Sequence, residues 1–298
     1  MFSIIVPTFN RGYMILPTLE TLFNQTFKNF EIIVVDDCST DNTEEVLQPY
    51  IDDNKLNYIK HERNKERAHA RNTGLKKAQG QYITFLDSDD FMYSTCLEEA
   101  NNYIKSNNSV RIFHCLYELV DENQNRIRKF NFPPIKKARN SILKGNYLAC
   151  MGVFLHRDIY QKYRFDTAPL LTGSEDHEYW IRILADYPKL GRINKVLCGL
   201  QEHPNRTMNQ HKLKNSIERK TYMLEKFNSH VELRSKYPRQ GAIFQSYCMT
   251  FIASASLDAG SKSNAWKYLL KALIKDTRII FDVFFRKVLI LSLIRTKS

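Results

Sequence analysis

No run of about 18 apolar residues occurs in the 298-residue chain, and no basic stretch followed by an apolar one stands at its start. A conventional membrane span and a secretory leader are therefore not expected. Cysteine is sparse: Cys38, Cys96, Cys115, Cys150, Cys198 and Cys248 form no C-x-x-C pair and no cluster with histidine. They read as core thiols of a reducing compartment. Acidic residues are outnumbered, 32 against 44 Lys and Arg, giving a net charge of +12, yet no recognised nucleic-acid module accompanies that charge, so nucleic acid is not an expected partner. At 43% hydrophobic content, the chain can bury a large core.

Against these absences, one stretch is dense in chemistry. Tyr82-Ile83-Thr84-Phe85-Leu86-Asp87-Ser88-Asp89-Asp90 carries an apolar, strand-like segment into three carboxylates within four residues. Hard oxygen ligands of this kind suit Mg²⁺ or Mn²⁺, which bind through one or two carboxylates plus substrate phosphates. A solvated acidic turn is the plain alternative for an isolated Asp-x-Asp.

The surrounding pattern favours the first reading. Phe2 to Thr8 and Phe30 to Asp37 are near-continuous β-branched runs, as in strands buried on both faces of a parallel sheet. Ile15, Leu19, Leu22 and Phe23 recur at helical spacing between them, and Ser39 to Thr43 offers caps for a second helix containing Val46 and Leu47. A strand over Leu56 to Ile59 and a helix over Ala68 to Ala78 complete a βαβαβαβ rhythm. In open α/β sheets the ligand lies outside the carboxyl ends of the strands, where strand order reverses. Thr8, Asp37 and Asp87 to Asp90 all fall at such ends.

Four ordered blocks carry a resemblance: Ile4-Ile5-Val6-Pro7-Thr8-Phe9-Asn10-Arg11, Val34-Val35-Asp36-Asp37-Cys38-Ser39-Thr40-Asp41, Ala70-Arg71-Asn72-Thr73-Gly74, and Gly80 through Asp90. Over about the first third of the chain it resembles the inverting family 2 glycosyltransferases. The resemblance implies the GT-A fold, a Rossmann-like, mixed but mostly parallel sheet flanked by helices, and a nucleotide-diphosphate sugar as donor. One departure is local: the family often has Gly where this chain has Glu66, beside Arg67.

Carried over residue by residue, the resemblance implies that Pro7, Thr8 and Asp37 hold the base and ribose, with Asp37 accepting the uracil imide hydrogen. Alone, Asp36 and Asp37 would read as caps of the following helix. Asn10 and Ser88 join the nucleotide-sugar contacts. Arg71 reaches the nucleotide through its forked guanidinium, though singly it would read as surface charge. Asp87 contacts ribose or a metal-bound water, and Asp89 binds the metal, Mn²⁺ or Mg²⁺. In Thr172-Gly173-Ser174-Glu175-Asp176-His177-Glu178-Tyr179-Trp180 the resemblance makes Asp176 the base for the acceptor hydroxyl, with Glu175 in support. Ser174 is placed as the helix cap, with Tyr179, Trp180, Ile183 and Tyr187 as an apolar stripe and Asp176 on the inward face. Carboxylates also favour helix N-termini for electrostatic reasons alone. After a strand over Lys195 to Leu200, His203 is a candidate metal ligand or a solvated loop histidine, and Arg206 and Thr207 are candidate phosphate partners.

Residues 1–100 are thus expected to form the nucleotide-sugar half, 101–207 the acceptor half, and 208–298 a helical extension. The acceptor half has strands over Val110 to Val120 and Met151 to His156 and a basic hinge at Pro133 to Lys137. In the extension, Tyr247, Phe251, Ala255, Ala265, Tyr268, Leu269 and Ala272, with the Ala-Gly turn at 259 and 260, suggest a helical hairpin. From Ser261 onward nine Lys or Arg face Asp276 and Asp282. The apolar residues 279–294, beside a polar stripe of Lys275, Arg278, Asp282 and Arg286, suit a helix lying in an anionic membrane interface; packing on the core is the alternative. On the membrane reading, a chain ending at Lys275 is expected to fold. The expected protein is a metal-dependent inverting glycosyltransferase on the cytoplasmic side, peripheral on the inner face of the membrane. It adds a sugar, from a UDP-sugar by resemblance, to a glycan or lipid-linked oligosaccharide in surface polysaccharide synthesis. A sugar nucleotidyltransferase and a non-catalytic membrane-bound nucleotide-binding scaffold are the rivals.

Overall fold

The computed structural model describes residues 1–203, 213–238 and 241–294, with backbone alone for 213–216. In chain order the elements are β1 (Phe2–Thr8), α1 (Ile15–Phe23), β2 (Phe30–Asp36), α2 (Thr43–Asp52), β3 (Asn57–Lys60), α3 (Glu66–Lys77), β4 (Tyr82–Phe85), β5 (Phe91–Met92), α4 (Cys96–Ser106), β6 (Ile112–Val120) and β7 (Arg126–Lys129). There follow α5 (Ala138–Ser141), β8 (Val153–His156), α6 (Arg157–Tyr160), α7 (Glu175–Asp186), β9 (Gly191–Gln201), α8 (Leu213–Ser229), α9 (Val231–Ser235), α10 (Gly241–Asp258), α11 (Lys262–Lys275) and α12 (Val283–Ile294).

The chain divides into two compact units. The first comprises residues 1–138, 147–167 and 187–204 and contains the sheet, ordered β3-β2-β1-β4-β8-β6-β9-β5 with β7 paired to β6. β1 pairs in parallel with β2 from Phe2↔Phe30 to Thr8↔Asp36, and on its other side with β4. Every β1 residue is buried, because the strand is covered on both faces. Phe2, Ile4 and Val6 join Ile15, Leu19 and Leu22 of α1 in one cluster. Ile5 points to the other face, where α3 lies so close that a Cβ at Gly74 would come within 2.3 Å of Ile5 Cγ2. The continuous apolar runs therefore mean what two-sided burial requires. Chain order β1→β2→β3 runs to one side, and β4 returns to the other side of β1. The reversal flanks β1 and opens the crevice where such sheets bind ligands.

The mixed character of the sheet comes from β8, antiparallel to both β4 and β6, and from β5, antiparallel to β9. β6 and β9 pair in parallel. The sequence reading omits β5 and β7. Two-residue β5 is too short to show alternation, and β7, Arg126-Ile127-Arg128-Lys129, is exposed throughout.

The second unit comprises residues 139–146, 168–186 and 205–298, so α7 groups with the C-terminal helices. α10 and α11 form the expected hairpin about Gly260, whose φ of 74° is left-handed. Ala253, Leu257, Ala265, Leu269 and Ala272 pack together with Ile279, Phe285 and Val288. Phe251 and Ala255 are not buried; Phe244, Cys248 and Ile252 are, because α10 is apolar around much of its circumference.

Three expectations for the tail are corrected. Lys275, Arg278, Asp282 and Arg286 form no single helical stripe: α11 ends at Lys275, a 3₁₀ turn spans Thr277–Phe281, and α12 starts at Val283. Asp276 and Asp282 cause the breaks, each accepting the N–H two residues on, from Arg278 (3.1 Å) and Phe284 (2.9 Å). α12 is neither wholly core nor wholly surface, since Phe285, Val288 and Ser292 are buried while Val283, Ile290, Leu293 and Ile294 are exposed. Ending the chain at Lys275 would therefore strip Ile279, Phe285 and Val288 from their cluster, and such a chain is not expected to stay well folded. Among the described residues no helix is long and apolar enough to cross a membrane.

Candidate active site

The strand ends of the first unit are stitched together by their backbones. Asp37 N–H donates to Thr8 O (2.9 Å), His61 N–H to Asp36 O (2.8 Å) and Leu86 N–H to Ile5 O (3.0 Å). Thr8 is buried, and its hydroxyl Oγ1 has no hydrogen-bond partner. A buried hydroxyl without a partner is costly, and at a strand end facing the reversal it fits a ligand's polar atom.

Asp36 and Asp37 divide their work, and neither caps α2. Asp36, fully buried, accepts the Ser39 N–H (2.8 Å), the Ser39 hydroxyl (2.6 Å) and the Tyr58 hydroxyl (2.6 Å). Desolvation and that carboxylate push the Tyr58 phenol far up. Asp37 accepts the Lys65 N–H (3.0 Å) and lies 2.7 Å from His61 Nδ1, while His61 Nε2 meets Thr73 Oγ1 at 2.9 Å. His61 is a neighbour that sequence reasoning missed. Its position directly after β3, on the edge that carries Thr8 and Asp37, was the available sign.

The loop reaching Asp37 turns at Glu66, which adopts φ 71°, the left-handed conformation glycine provides without steric cost. A glutamate thus makes a turn that suits glycine. A non-glycine residue there costs about 1–2 kcal/mol, and glycine restores up to about 1 kcal/mol of unfolded-chain entropy. Glu66→Gly is expected to leave donor binding unchanged and to raise Tm by about 1–2 °C. A melting point equal to or below that of the parent would show that the turn is not strained.

The first strand end continues into a loop that positions a cation. Asp41 accepts the N–H groups of Gly12 (3.1 Å) and Thr43 (3.0 Å), and Thr43 Oγ1 accepts that of Arg11 (3.0 Å). Burial pushes the Asp41 carboxyl up, but the Thr43 and Gly12 hydrogen bonds outweigh it and hold the group below its ordinary 3.8. Asn10, at φ 51°, spends its side-chain oxygen on Thr40 N–H (2.8 Å) and its own N–H on Ser39 Oγ (2.8 Å), clasping the two loops.

At the end of β4 the acidic cluster separates into distinct parts. Asp90 is structural: its N–H closes a turn on Asp87 O (3.0 Å), its carbonyl accepts the Thr18 hydroxyl (2.8 Å), and its carboxylate accepts Gln201 N–H at the end of β9 (3.2 Å). Ser88 is buried. Asp87 accepts from Arg71 Nη2 at 2.7 Å. Arg71 is 2% exposed, lies over the Phe165 ring, and is not the surface charge a lone arginine would suggest. Next to it, Asn72 donates to Phe165 O (2.9 Å) and accepts from Phe165 N–H (2.8 Å), fixing that ring.

Asp90's hold on Gln201 brings the end of β9 to Asp89. His203 Nε2 lies 3.1 Å from Asp89 Oδ2, across 114 residues of sequence. Arg11 Nη2 lies 3.7 Å from the same oxygen. An imidazole nitrogen and a carboxylate oxygen this close are a donor set that a divalent cation such as Mg²⁺ or Mn²⁺ fits. Arg206 and Thr207 lie outside the described residues.

Asp176 stands in the second unit, in the first turn of α7. Its Oδ2 accepts from Asn146 Nδ2 and its Oδ1 from His177 N–H, both at 2.7 Å. It does not face inward: among residues 175–181 it alone is not buried. Tyr179, Trp180 and Ile183 make the buried stripe, but Tyr187 lies beyond the helix. Buried Glu175 accepts Gly173 N–H (2.6 Å). The helix is anchored by Glu178, paired with Arg182 (2.7 Å) and Lys226 (2.8 Å), and by His177, whose Nε2–H donates to Ile142 O (2.6 Å). Burial pushes the His177 imidazole down to about 3, so it is neutral. Buried Arg219 loses basicity to desolvation, partly restored by Glu175 and Asp176.

A doubly covered parallel sheet with a carboxylate-lined switch point and a mixed antiparallel half is the GT-A architecture of glycosyltransferases. The chain belongs to glycosyl transferase family 2, whose model matches residues 3–164. It is 33% identical over 200 residues to the Escherichia coli UDP-Glc:alpha-D-GlcNAc-diphosphoundecaprenol beta-1,3-glucosyltransferase WfgD, covering 67% of this chain and 74% of that one. Its fold is similar to that of S. aureus TarS 1-349 in complex with UDP-GlcNAc, with TM-score 0.71 and 19% identity over 98% of this chain and 88% of that chain. It is also similar to that of the mannosyltransferase PcManGT from Pyrobaculum calidifontis in complex with GDP-Man and Mn2+, with TM-score 0.58 and 17% identity over 99% and 88%. The protein is a glycosyltransferase.

Proposed function

We propose that the protein transfers one sugar, with inversion, from a UDP-sugar to a hydroxyl of a lipid-linked oligosaccharide or glycan in bacterial surface polysaccharide synthesis. The meeting of Asp89 and His203 at 3.1 Å carries the reading, because two residue types chosen as metal ligands from separate parts of the sequence stand at one point beside Arg11. Thr8 and Asp37 take the nucleoside, with Asn10 holding the loop around it; Arg71 orients Asp87 toward the ribose. Arg11 faces the diphosphate. Asp89 and His203 would hold a divalent ion there, which would supply Lewis-acid stabilisation of the charge that develops on the leaving diphosphate.

Asp176, in the second unit, receives the acceptor proton. The acceptor oxygen forms its bond to the anomeric carbon as the bond to the diphosphate breaks, and it becomes acidic as it does so, so late transfer to a carboxylate suffices. Asn146 donates to one Asp176 oxygen and so orients the carboxylate. The similarity to WfgD, named for a diphosphoundecaprenol-linked acceptor, supports a lipid-linked acceptor here. Such an acceptor places the enzyme peripherally on the inner face of the cytoplasmic membrane, with the exposed apolar residues of α12 as one contact. The test is the product: a released nucleoside diphosphate with an extended acceptor supports transfer, pyrophosphate release would make the protein a nucleotidyltransferase, and neither would make it a binding scaffold.

A further inference from the structure

On α11 the buried stripe of Ala265, Leu269 and Ala272 faces the cluster of the second unit. One position along each turn, Trp266, Leu270 and Ile274 are 42, 59 and 72% exposed. Four-residue spacing aligns them in a row about 12 Å long. Each is followed by a lysine, Lys267, Lys271 and Lys275, all exposed and in no ion pair among the described residues. An apolar row at the surface, bordered by cations of which only Lys271 has a partner, the Tyr268 ring at 5.2 Å, resists explanation as core or as an ordinary solvated face.

We propose that this face of α11 is where the protein rests on an anionic lipid surface, extending the contact beyond α12; the inference rests on the reading that the acceptor is membrane-borne. Charge complementarity commits the surface to lipid. Lysines beside an apolar row let the stems cover the acyl boundary while the ammonium groups reach anionic headgroups. Tryptophan favours that same boundary, with an apolar ring and a polar N–H. A second copy of this chain fits poorly, because lysine is depleted in protein interfaces and two chains of net charge +12 repel.

The 298-residue chain carries its own reporter, since Trp180 is fully buried and Trp266 is its only other tryptophan. With vesicles of phosphatidylglycerol and phosphatidylcholine the protein is expected to co-sediment and its tryptophan emission to shift to the blue, while phosphatidylcholine vesicles leave both unchanged. Leu270→Ser with Ile274→Ser, and separately Lys267→Glu with Lys271→Glu, are expected to weaken vesicle binding at least tenfold with Tm and donor turnover unaltered. Wild-type binding by both double variants would overturn the assignment. So would a multimer in solution that Leu270→Ser with Ile274→Ser converts to monomers while vesicle binding persists. Donor turnover without vesicle binding overturns the surface and leaves the transferase reading intact; vesicle binding without turnover does the reverse.

Discussion

Asp176→Asn is expected to lower sugar transfer about 10²-fold or more while donor affinity barely changes. The amide keeps the size of the side chain and can still accept the hydrogen bond of His177 N–H, but it has lost the capacity to take a proton, and general-base catalysis contributes on that scale. The α7 scaffold does not depend on the substituted group, being held by Glu178, Arg182, Lys226 and the His177 bond to Ile142. Turnover at saturating acceptor and donor dissociation constants, measured on the same preparation, separate the roles. Preserved turnover with collapsed donor affinity would make Asp176 a donor ligand instead of the base.

Loss of the metal pair is expected to cost more. Asp89→Ala would take away the oxygen proposed to hold the metal and leave Arg11 beside an emptied position, so transfer should fall nearly to background and metal-dependent donor binding should weaken sharply. His203→Ala should fall less far, because water can occupy a single vacated position around Mg²⁺ or Mn²⁺. Asp90→Ala makes a useful contrast: it cuts the tie to Gln201, and its loss should appear first as reduced stability. Calorimetric titration of Mn²⁺ with a nucleoside diphosphate, alongside turnover, checks the order. Near-parental turnover in chelator-treated protein would remove the metal from the account.

Much of this site was legible because strand ends announce themselves: β1, β2 and β4 are apolar runs that stop at polar residues, and three of the four sequence blocks sit on those stops, the fourth lying within α3. What the sequence hid was pairing. Nothing in the local pattern says that Arg71 is buried under Phe165 and held by Asp87, since a charged residue on a polar helix reads as surface. The division of labour between Asp36 and Asp37 likewise depends on Tyr58 and His61, from the next strand and its end. In the tail, charges at helical spacing gave the impression of one long helix. Asp282 was read as part of its polar face, whereas its short carboxylate, like that of Asp276, caps a new turn. Asp282 can carry either meaning, and only the packing of Ile279 and Phe285 decides between them.

The most direct test of the central claim is a single reaction followed by its product's configuration. The protein, Mn²⁺ and an α-linked UDP-sugar are incubated with a lipid-diphosphate GlcNAc acceptor, and the new linkage is read by proton NMR. The account predicts stoichiometric UDP and a β-linked sugar on the acceptor, lost together in Asp176→Asn. An α-linked product would contradict inversion at the anomeric carbon, and a product formed at full rate by Asp89→Ala and Asp176→Asn together would contradict the site itself.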